Sequence, residues 1–136
     1  MTEQEIADKI MLAYPGLGTL TKAEDQFSPF DYQNEKYLFE FKSRKTAYDP
    51  WMIEKNKLEV NFSLANDAQK DFIYVTESRG EIYIWNISKL LKDKYDFNFE
   101  IREAPISTEL PNKKNGVMTF KQVGYIYNKD SKIICR

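Results

Sequence analysis

The sequence contains no histidine and a single cysteine, and each shortage excludes a class of functional site. Without histidine, the common zinc sites and the usual serine or cysteine triads cannot form, so acid and base chemistry falls to carboxylates, lysine and tyrosine. Cys135 has no partner for an intramolecular disulfide. Any bound metal is therefore expected to be a hard cation held by oxygen atoms.

Glycine and proline are also scarce, at five residues each, and long apolar runs are lacking. With 42% hydrophobic and 30% charged residues, the 136-residue chain is typical of one folded domain over residues 1–136. No apolar run is long enough for a membrane span, and the acidic N-terminus lacks the features of a secretory signal. We therefore expect an intracellular, cytoplasmic protein without a membrane partner.

The net charge of −1 hides an uneven distribution of charge along the chain. Residues 1–35 carry two basic and seven acidic side chains, whereas residues 36–57 carry six and three, and residues 113–136 carry six and one. An acidic region beside basic segments suits a site that holds a cation and then meets phosphates. An ordinary solvated surface explains the charge pattern equally well.

The first half of the chain alternates between helical and extended patterns. Thr2 and Glu5 form a capping-box pattern that begins a helix, which Pro15 and Gly16 end. Residues 30–32 and 37–44 are then predicted to form a hairpin.

A second helix is predicted over residues 49–64, with Asp49 as its N-cap and Pro50 in its first turn. Its apolar residues form two stripes at helical spacing, Trp51, Leu58, Phe62 and Ala65 in one and Ile53, Val60 and Leu64 in the other. The alternation of apolar residues from Leu58 to Leu64 would equally suit a strand.

The remaining residues predict a second hairpin, a short helix capped by Ser88, and further strands. In order, these are the hairpin at 71–77 and 81–86, the helix at 89–94, strands at 97–103 and 117–127 with Gly124 as a bulge, a loop over 105–115, and a short pairing by the tail at 133–136. This order predicts an α/β or α+β domain with a mixed central sheet flanked by helices.

The strand over residues 37–44 carries two charges on an otherwise apolar face. Side chains alternate along a strand, so Leu38, Glu40 and Lys42 share one face. Asp31 lies nine residues before Glu40. Burying these charges is costly unless they are paired, and a cation with a phosphate would pair with all three. A same-face ion pair at the surface is the plain alternative.

Two carboxylates beside a lysine suit phosphodiester hydrolysis, because carboxylates can hold magnesium and a lysine can orient or deprotonate the nucleophile. A carboxylate, any residue and a lysine occur together by chance about once in such a chain. Asp130-Ser131-Lys132 also fits this pattern, but it lies in a turn-like segment without apolar flanks. We interpret that occurrence as accidental, whereas Glu40-Phe41-Lys42 is supported by its strand, by Asp31 and by the helix that follows.

These residues resemble the signature of the PD-(D/E)xK nuclease superfamily, which has the restriction-endonuclease-like fold, and especially its small phage and bacterial resolvase-like members. The matching residues are Ser28-Pro29-Phe30-Asp31, Glu40-Phe41-Lys42 with Ser43-Arg44, and the helix segment from Met52 to Lys57. Pro29 precedes Asp31 by two positions instead of directly. The resemblance covers roughly residues 1–86 and implies a core of helix, three strands, helix and strand.

The resemblance implies an Mg²⁺- or Mn²⁺-dependent endodeoxyribonuclease. Asp31, Glu40 and Lys42 would be its catalytic residues, with Asp31 and Glu40 as metal ligands. In this family an N-terminal helix often supplies a further acidic ligand, for which Glu5 is the best match by position and Glu3 the second. Glu5 also has an alternative role as the capping partner of Thr2.

Candidate contacts to nucleic acid are Arg44, Lys57 and, with less support, Lys55. The chain has no room for a separate sequence-reading domain, so we expect structure-selective cutting of branched or junction DNA, with RNA as a weaker option. Cutting two strands would call for a homodimer. The alternative is a non-catalytic module that keeps the nuclease fold to bind nucleic acid or a partner protein.

Overall fold

The computed structural model describes residues 1–105 and 118–134, which contain three α-helices and nine strands. The helices are α1 (Glu3–Ala13), α2 (Lys55–Asp67) and α3 (Ile87–Lys92). The strands are β1 (Thr21–Lys22), β2 (Tyr32–Gln33), β3 (Tyr37–Ser43), β4 (Trp51–Glu54), β5 (Asp71–Ser78), β6 (Glu81–Asn86), β7 (Glu100–Pro105), β8 (Met118–Ile126) and β9 (Lys132–Ile134). The predicted loop lies outside the described residues, apart from residue 105 at the end of β7.

Six strands form a central sheet in the order β1-β2-β3-β5-β6-β9. Strands β3 and β5 run parallel, and the other neighbours in this sheet run antiparallel. Both predicted hairpins are present, and β9 confirms the predicted pairing of the tail for Ile133 and Ile134, while residues 135 and 136 lie outside the described residues. The prediction of a mixed central sheet with flanking helices is therefore confirmed at this level.

The two faces of the central sheet pack against different elements. On one face, Phe39 and Phe41 of β3 join a core with the buried residues Ile6, Ala7 and Ile10 of α1. On the other face, Leu38 joins a core built from α2, from the start of α3 and from a smaller second sheet. The alternation predicted for β3 is confirmed, and it turns Glu40 and Lys42 toward α2.

A three-stranded antiparallel sheet, in the order β4-β8-β7, covers part of the second face, and the sequence did not predict it. The predicted helix start at Asp49 is wrong, because the chain first forms β4 and α2 begins only at Lys55. Trp51 and Ile53 are buried while Met52 is exposed, which is the period of a strand. Pairing with β8 satisfies the backbone there.

The later part of the predicted helix is confirmed, and Leu58 and Ala65 of the first predicted stripe lie on its buried face. Leu58, Asn61 and Ala65 are buried in α2, whereas Val60 and Leu64 of the second predicted stripe are exposed. The second stripe was counted from Ile53, which lies in β4 and not in the helix. Positions counted from Ile53 at helical spacing therefore do not mark the buried face of α2.

Ser88 does not cap α3, which corrects a further prediction. The side chain of Asn86 is the N-cap and accepts a hydrogen bond from Lys89 N–H at 3.0 Å. Ser88 is buried, and its Oγ accepts from Phe72 N–H at 2.8 Å. The hydroxyl therefore fastens α3 to β5.

The predicted bulge at Gly124 is also wrong on the side of β4, because the register between β4 and β8 continues through Ile53 and Gly124. A Cβ atom at position 124 would lie 2.7 Å from Cε1 of Phe99. Close packing of that ring explains the glycine.

None of the helices in the described ranges has the length and apolarity that crossing a bilayer requires.

Candidate active site

Strand β3 and the residue before β2 bring Asp31 and Glu40 into one region. Asp31 N–H donates to the carbonyl oxygen of Phe39 at 2.7 Å, and its Oδ2 accepts from Phe41 N–H at 2.7 Å. These two bonds fix the Asp31 side chain along the edge of β3 on either side of Glu40. The spacing that suggested the site therefore follows from the hairpin geometry.

Glu40 is almost fully buried, with 4% of its surface exposed, and its polar contacts are long. Lys42 Nζ lies 3.5 Å from Oε1, and Asn61 Nδ2 lies 3.4 Å from Oε2. Burial raises the pKa of Glu40, and the charges of Lys42 and Lys57 only partly oppose that rise. The carboxylate is held in place without the short hydrogen bonds that would satisfy it.

Asp31 is electrostatically linked to Glu40. Burial raises the pKa of Asp31 to about 7, against the hydrogen bond from Phe41 N–H, which lowers it. The negative charges of Glu3 and Glu40 contribute to that rise, and the charge of Lys42 opposes it. The structure thus brings together the three residues predicted as catalytic, with two under-compensated carboxylates around one ammonium group.

Asn61 of α2 completes the site, and the sequence analysis missed it. Its Nδ2 donates to the carbonyl oxygen of Pro29 at 3.0 Å and to Glu40, so it ties the segment before Asp31 to β3. Its Oδ1 is buried and has no hydrogen-bond partner among the described residues. The sequence did contain a signal for it, because Asn61 is a polar residue at helical spacing from Leu58 and Ala65 and so lies on the buried face of α2.

A second unsatisfied oxygen lies beside Lys42. Thr76 of β5 is paired in register with Lys42, so both side chains share the face that carries Glu40. Thr76 Oγ1 is buried and, within the described part of the chain, has no partner. Buried polar atoms are nearly always hydrogen-bonded in proteins, so Thr76 Oγ1 and Asn61 Oδ1 are two oxygens near Glu40 and Lys42 whose hydrogen-bonding capacity is unused.

Lys57 faces the site, as predicted, and a second lysine joins it from the small sheet. Lys57 Nζ lies 3.6 Å from Glu54 Oε2, and Lys121 Nζ of β8 lies 2.7 Å from Glu54 Oε1. Burial raises the pKa of Glu54, but the two lysines outweigh burial and leave that pKa below its ordinary value. Glu54 therefore holds two ammonium groups, of which that of Lys57 acts on the Glu40 carboxylate.

The other two predicted nucleic-acid contacts lie farther from Glu40. Lys55 lies over the ring of Phe99 at 5.4 Å and 3.6 Å from Glu59. Arg44 is exposed just past the end of β3, where its Nη1 donates to the carbonyl oxygen of Ser43 at 3.0 Å. Arg44 thus remains accessible at the rim of the site, whereas Lys55 is turned toward the small sheet.

The structure places the Glu5 carboxylate in the capping box of α1. Glu5 Oε1 accepts from Thr2 N–H at 3.1 Å, and Thr2 Oγ accepts from Glu5 N–H at 3.1 Å. The hydrogen bond from the Thr2 backbone lowers the pKa of Glu5. The acidic residue of α1 whose charge acts on Asp31 is Glu3.

Within residues 1–105 and 118–134, no group of three or more carboxylate, cysteine or histidine side chains is positioned to hold a metal. Mg²⁺ commonly takes only one or two protein carboxylates and completes its shell with water and phosphate oxygens. The pair of Asp31 and Glu40 fits that coordination.

In comparisons with known proteins, the sequence matches no family model and no curated protein.

Proposed function

We propose that the chain is a metal-dependent nuclease of the restriction-endonuclease-like fold that hydrolyses phosphodiester bonds in DNA. The observation that supports this most is the Glu40 carboxylate, buried at 4% exposure beside Lys42 without a short hydrogen bond. Burying a carboxylate in this way is unfavourable unless a ligand completes it. A cation is the ligand that would do so.

Asp31 and Glu40 are the residues that would hold Mg²⁺ or Mn²⁺, and the unpaired Oδ1 of Asn61 is a third oxygen close to Glu40. When bound, such a cation polarises a phosphoryl oxygen and lowers the pKa of a coordinated water. The raised pKa values of both carboxyl groups fit this role, because burial disfavours their charged forms and a bound cation would offset that penalty.

Lys42 has the position of the residue that orients the nucleophile. Its side chain is mostly buried and its Nζ lies 3.5 Å from Glu40 Oε1, so the ammonium is held on the face that carries both carboxylates. There it can donate hydrogen bonds to an attacking water or to a negative phosphate oxygen. Lys57 and Arg44 lie farther out, where they would contact neighbouring phosphates.

The substrate we propose is branched or junction DNA, because residues 1–105 and 118–134 include no separate element for reading a long sequence. A homodimer would supply two such sites for two scissile strands. A non-catalytic module of the same fold is the second candidate. The low exposure of Glu40 favours it, because a phosphate must reach this carboxylate for cleavage to occur.

Incubation with supercoiled plasmid, four-way junction DNA and single-stranded RNA, each with Mg²⁺ or Mn²⁺, tests the proposal. The parent protein should cleave DNA, and Lys42→Ala should not. Lys45→Ala, at an exposed lysine near the end of β3, is the matched control and should cleave like the parent. Equal cleavage by Lys42→Ala, or no cleavage with either metal, would favour the non-catalytic module.

A further inference from the structure

A groove in the molecule is lined by residues that the proposed cleavage chemistry does not use. It lies between the end of α1, the turn before β3, and the start of β9. Its volume of about 1700 Å³ exceeds the roughly 300–1,000 Å³ of small-molecule pockets. The groove therefore suits an extended ligand.

The charge of the groove is strongly positive, although the whole chain is slightly acidic. Two acidic side chains, Glu35 and Asp130, line it together with five lysines, which are Lys36, Lys70, Lys89, Lys129 and Lys132. In the described ranges, none of these five lysines forms an ion pair with a carboxylate. Asp130 accepts a hydrogen bond from the Tyr95 hydroxyl at 2.8 Å. Lys70 Nζ donates to Gln33 Oε1 at 3.1 Å, and Lys129 Nζ lies 5.7 Å from the centre of the Tyr127 ring. None of these contacts neutralises an ammonium group, so the five positive charges favour an anionic ligand.

Aromatic rings and apolar side chains form the remainder of the groove. Tyr14 and Tyr37 are partly exposed and line it beside Ile84 and Leu17. Lys132 Nζ lies 5.9 Å from the centre of the Tyr14 ring, so a cation and a π-face are presented together. Lysines that can follow phosphates, together with rings on which bases can stack, are the combination that binds single-stranded nucleic acid.

We propose that this groove binds a single-stranded DNA segment. Tyr37 at one end of β3 lies about 17 Å along the strand from Lys42, and its side chain is on the opposite face. The groove is thus separate from the candidate active site. Its use in holding an unpaired arm of a branched substrate rests on the proposed function, whereas binding of the single strand does not.

Fluorescence anisotropy with a labelled oligothymidylate, measured with EDTA in the Lys42→Ala background, tests binding without cleavage. In Lys36→Gln/Lys132→Gln we expect affinity to fall about tenfold at low salt. The slope of log affinity against log salt should become shallower by about 1.4, since each neutralised phosphate of a single strand contributes about 0.7. Lys22→Gln/Lys92→Gln makes the same charge change at exposed lysines outside the groove and should bind like its parent.

A second pair of variants tests whether the Tyr14 ring contributes to binding of the single strand. Tyr14→Leu should lower affinity about fivefold, whereas Tyr14→Phe, which keeps the ring, should retain it. Equal losses in the groove and control lysine variants, or no loss in either, would overturn the proposal. Displacement of the oligonucleotide by equimolar inorganic pyrophosphate would also overturn it, because the groove would then be a polyphosphate site. Since the assay needs no metal, loss of cleavage and loss of this site are separately visible.

Discussion

Glu40 and Glu77 lie on the neighbouring parallel strands β3 and β5, and both are buried, at 4% and 2% exposure. Burial raises the pKa of each carboxylate, yet the outcomes differ. The pKa of Glu40 remains above its ordinary value, whereas that of Glu77 falls below it. Low surface exposure alone therefore does not decide the protonation of these two groups.

Hydrogen bonds and the N-terminal ammonium group contribute to the difference, since Met1 N lies 3.2 Å from Glu77 Oε1 and lowers the pKa of that carboxyl. Ser43 Oγ donates to Glu77 Oε1 at 2.5 Å, and Gly80 N–H donates to Oε2 at 2.8 Å. The contacts to Glu40 are 3.5 Å from Lys42 and 3.4 Å from Asn61. Glu77 is thus a completed structural carboxylate, while Glu40 retains capacity for a ligand.

The largest expected effect concerns cleavage. If Glu40 is a metal ligand and Glu77 is structural, Glu40→Gln and Asp31→Asn should each lower DNA cleavage at least about 100-fold, because metal assistance contributes several kcal/mol. Glu77→Gln, assayed at a temperature where it is folded, should cleave nearly as well as the parent. Initial rates on plasmid with Mg²⁺ measure this. Similar losses in the Glu40 and Glu77 variants would remove the functional distinction.

Stability without metal should show the reverse order. Glu77→Gln places an NH₂ group where the carboxylate accepts from Ser43, Gly80 and the Met1 ammonium group, and it removes the charge of that ion pair, so unfolding becomes easier by about 2 kcal/mol. Glu40→Gln should change stability by less than about 1 kcal/mol, because it removes a charge that burial disfavours. Urea unfolding with EDTA near neutral pH gives both values. A larger loss in Glu40→Gln would contradict the comparison.

The local part of this site could be predicted from the sequence. The period of two along β3 placed Glu40 and Lys42 on one face, and the hairpin spacing brought Asp31 alongside. The second hairpin was equally readable, because its turn needs left-handed residues, and Arg79 and Gly80 adopt φ values of 53° and 86°. Each of these features depends on residues close together in the chain.

The parts that depend on distant residues were not predictable. Asp49 and Pro50 match a helix start, and the partner strand that turns residues 51–54 into β4 lies about seventy residues later. Lys121 reaches Glu54 only because β8 pairs with β4. Asn61 is a different case. Its place on the apolar face of α2 could be predicted from helical spacing, but its contacts with Pro29 and Glu40 could not.

Acid should destabilise the protein partly through Glu77. A carboxylate whose pKa is lower in the folded state contributes stability above its unfolded pKa, near 4.5, and that contribution is lost as pH falls through the folded pKa. Unfolding free energies measured at decreasing pH below about 5 should therefore fall more steeply for the parent than for Glu77→Gln. Parallel curves for the two proteins would show that the Ser43 and Gly80 hydrogen bonds do not favour the charged form.

The smallest effect tests whether Glu5 resembles Glu77 rather than Glu40. Its carboxylate is already bonded to Thr2 N–H, so by this comparison it is structural, and Glu5→Gln should leave cleavage unchanged. Thr2→Ala removes the hydroxyl that caps α1 and should lower stability by about 1 kcal/mol without changing cleavage below the melting transition. Thermal unfolding and initial rates on the same samples measure both properties. Loss of cleavage in Glu5→Gln at unchanged stability would instead make Glu5 a metal ligand, because a cap alone has no access to the chemistry at Glu40.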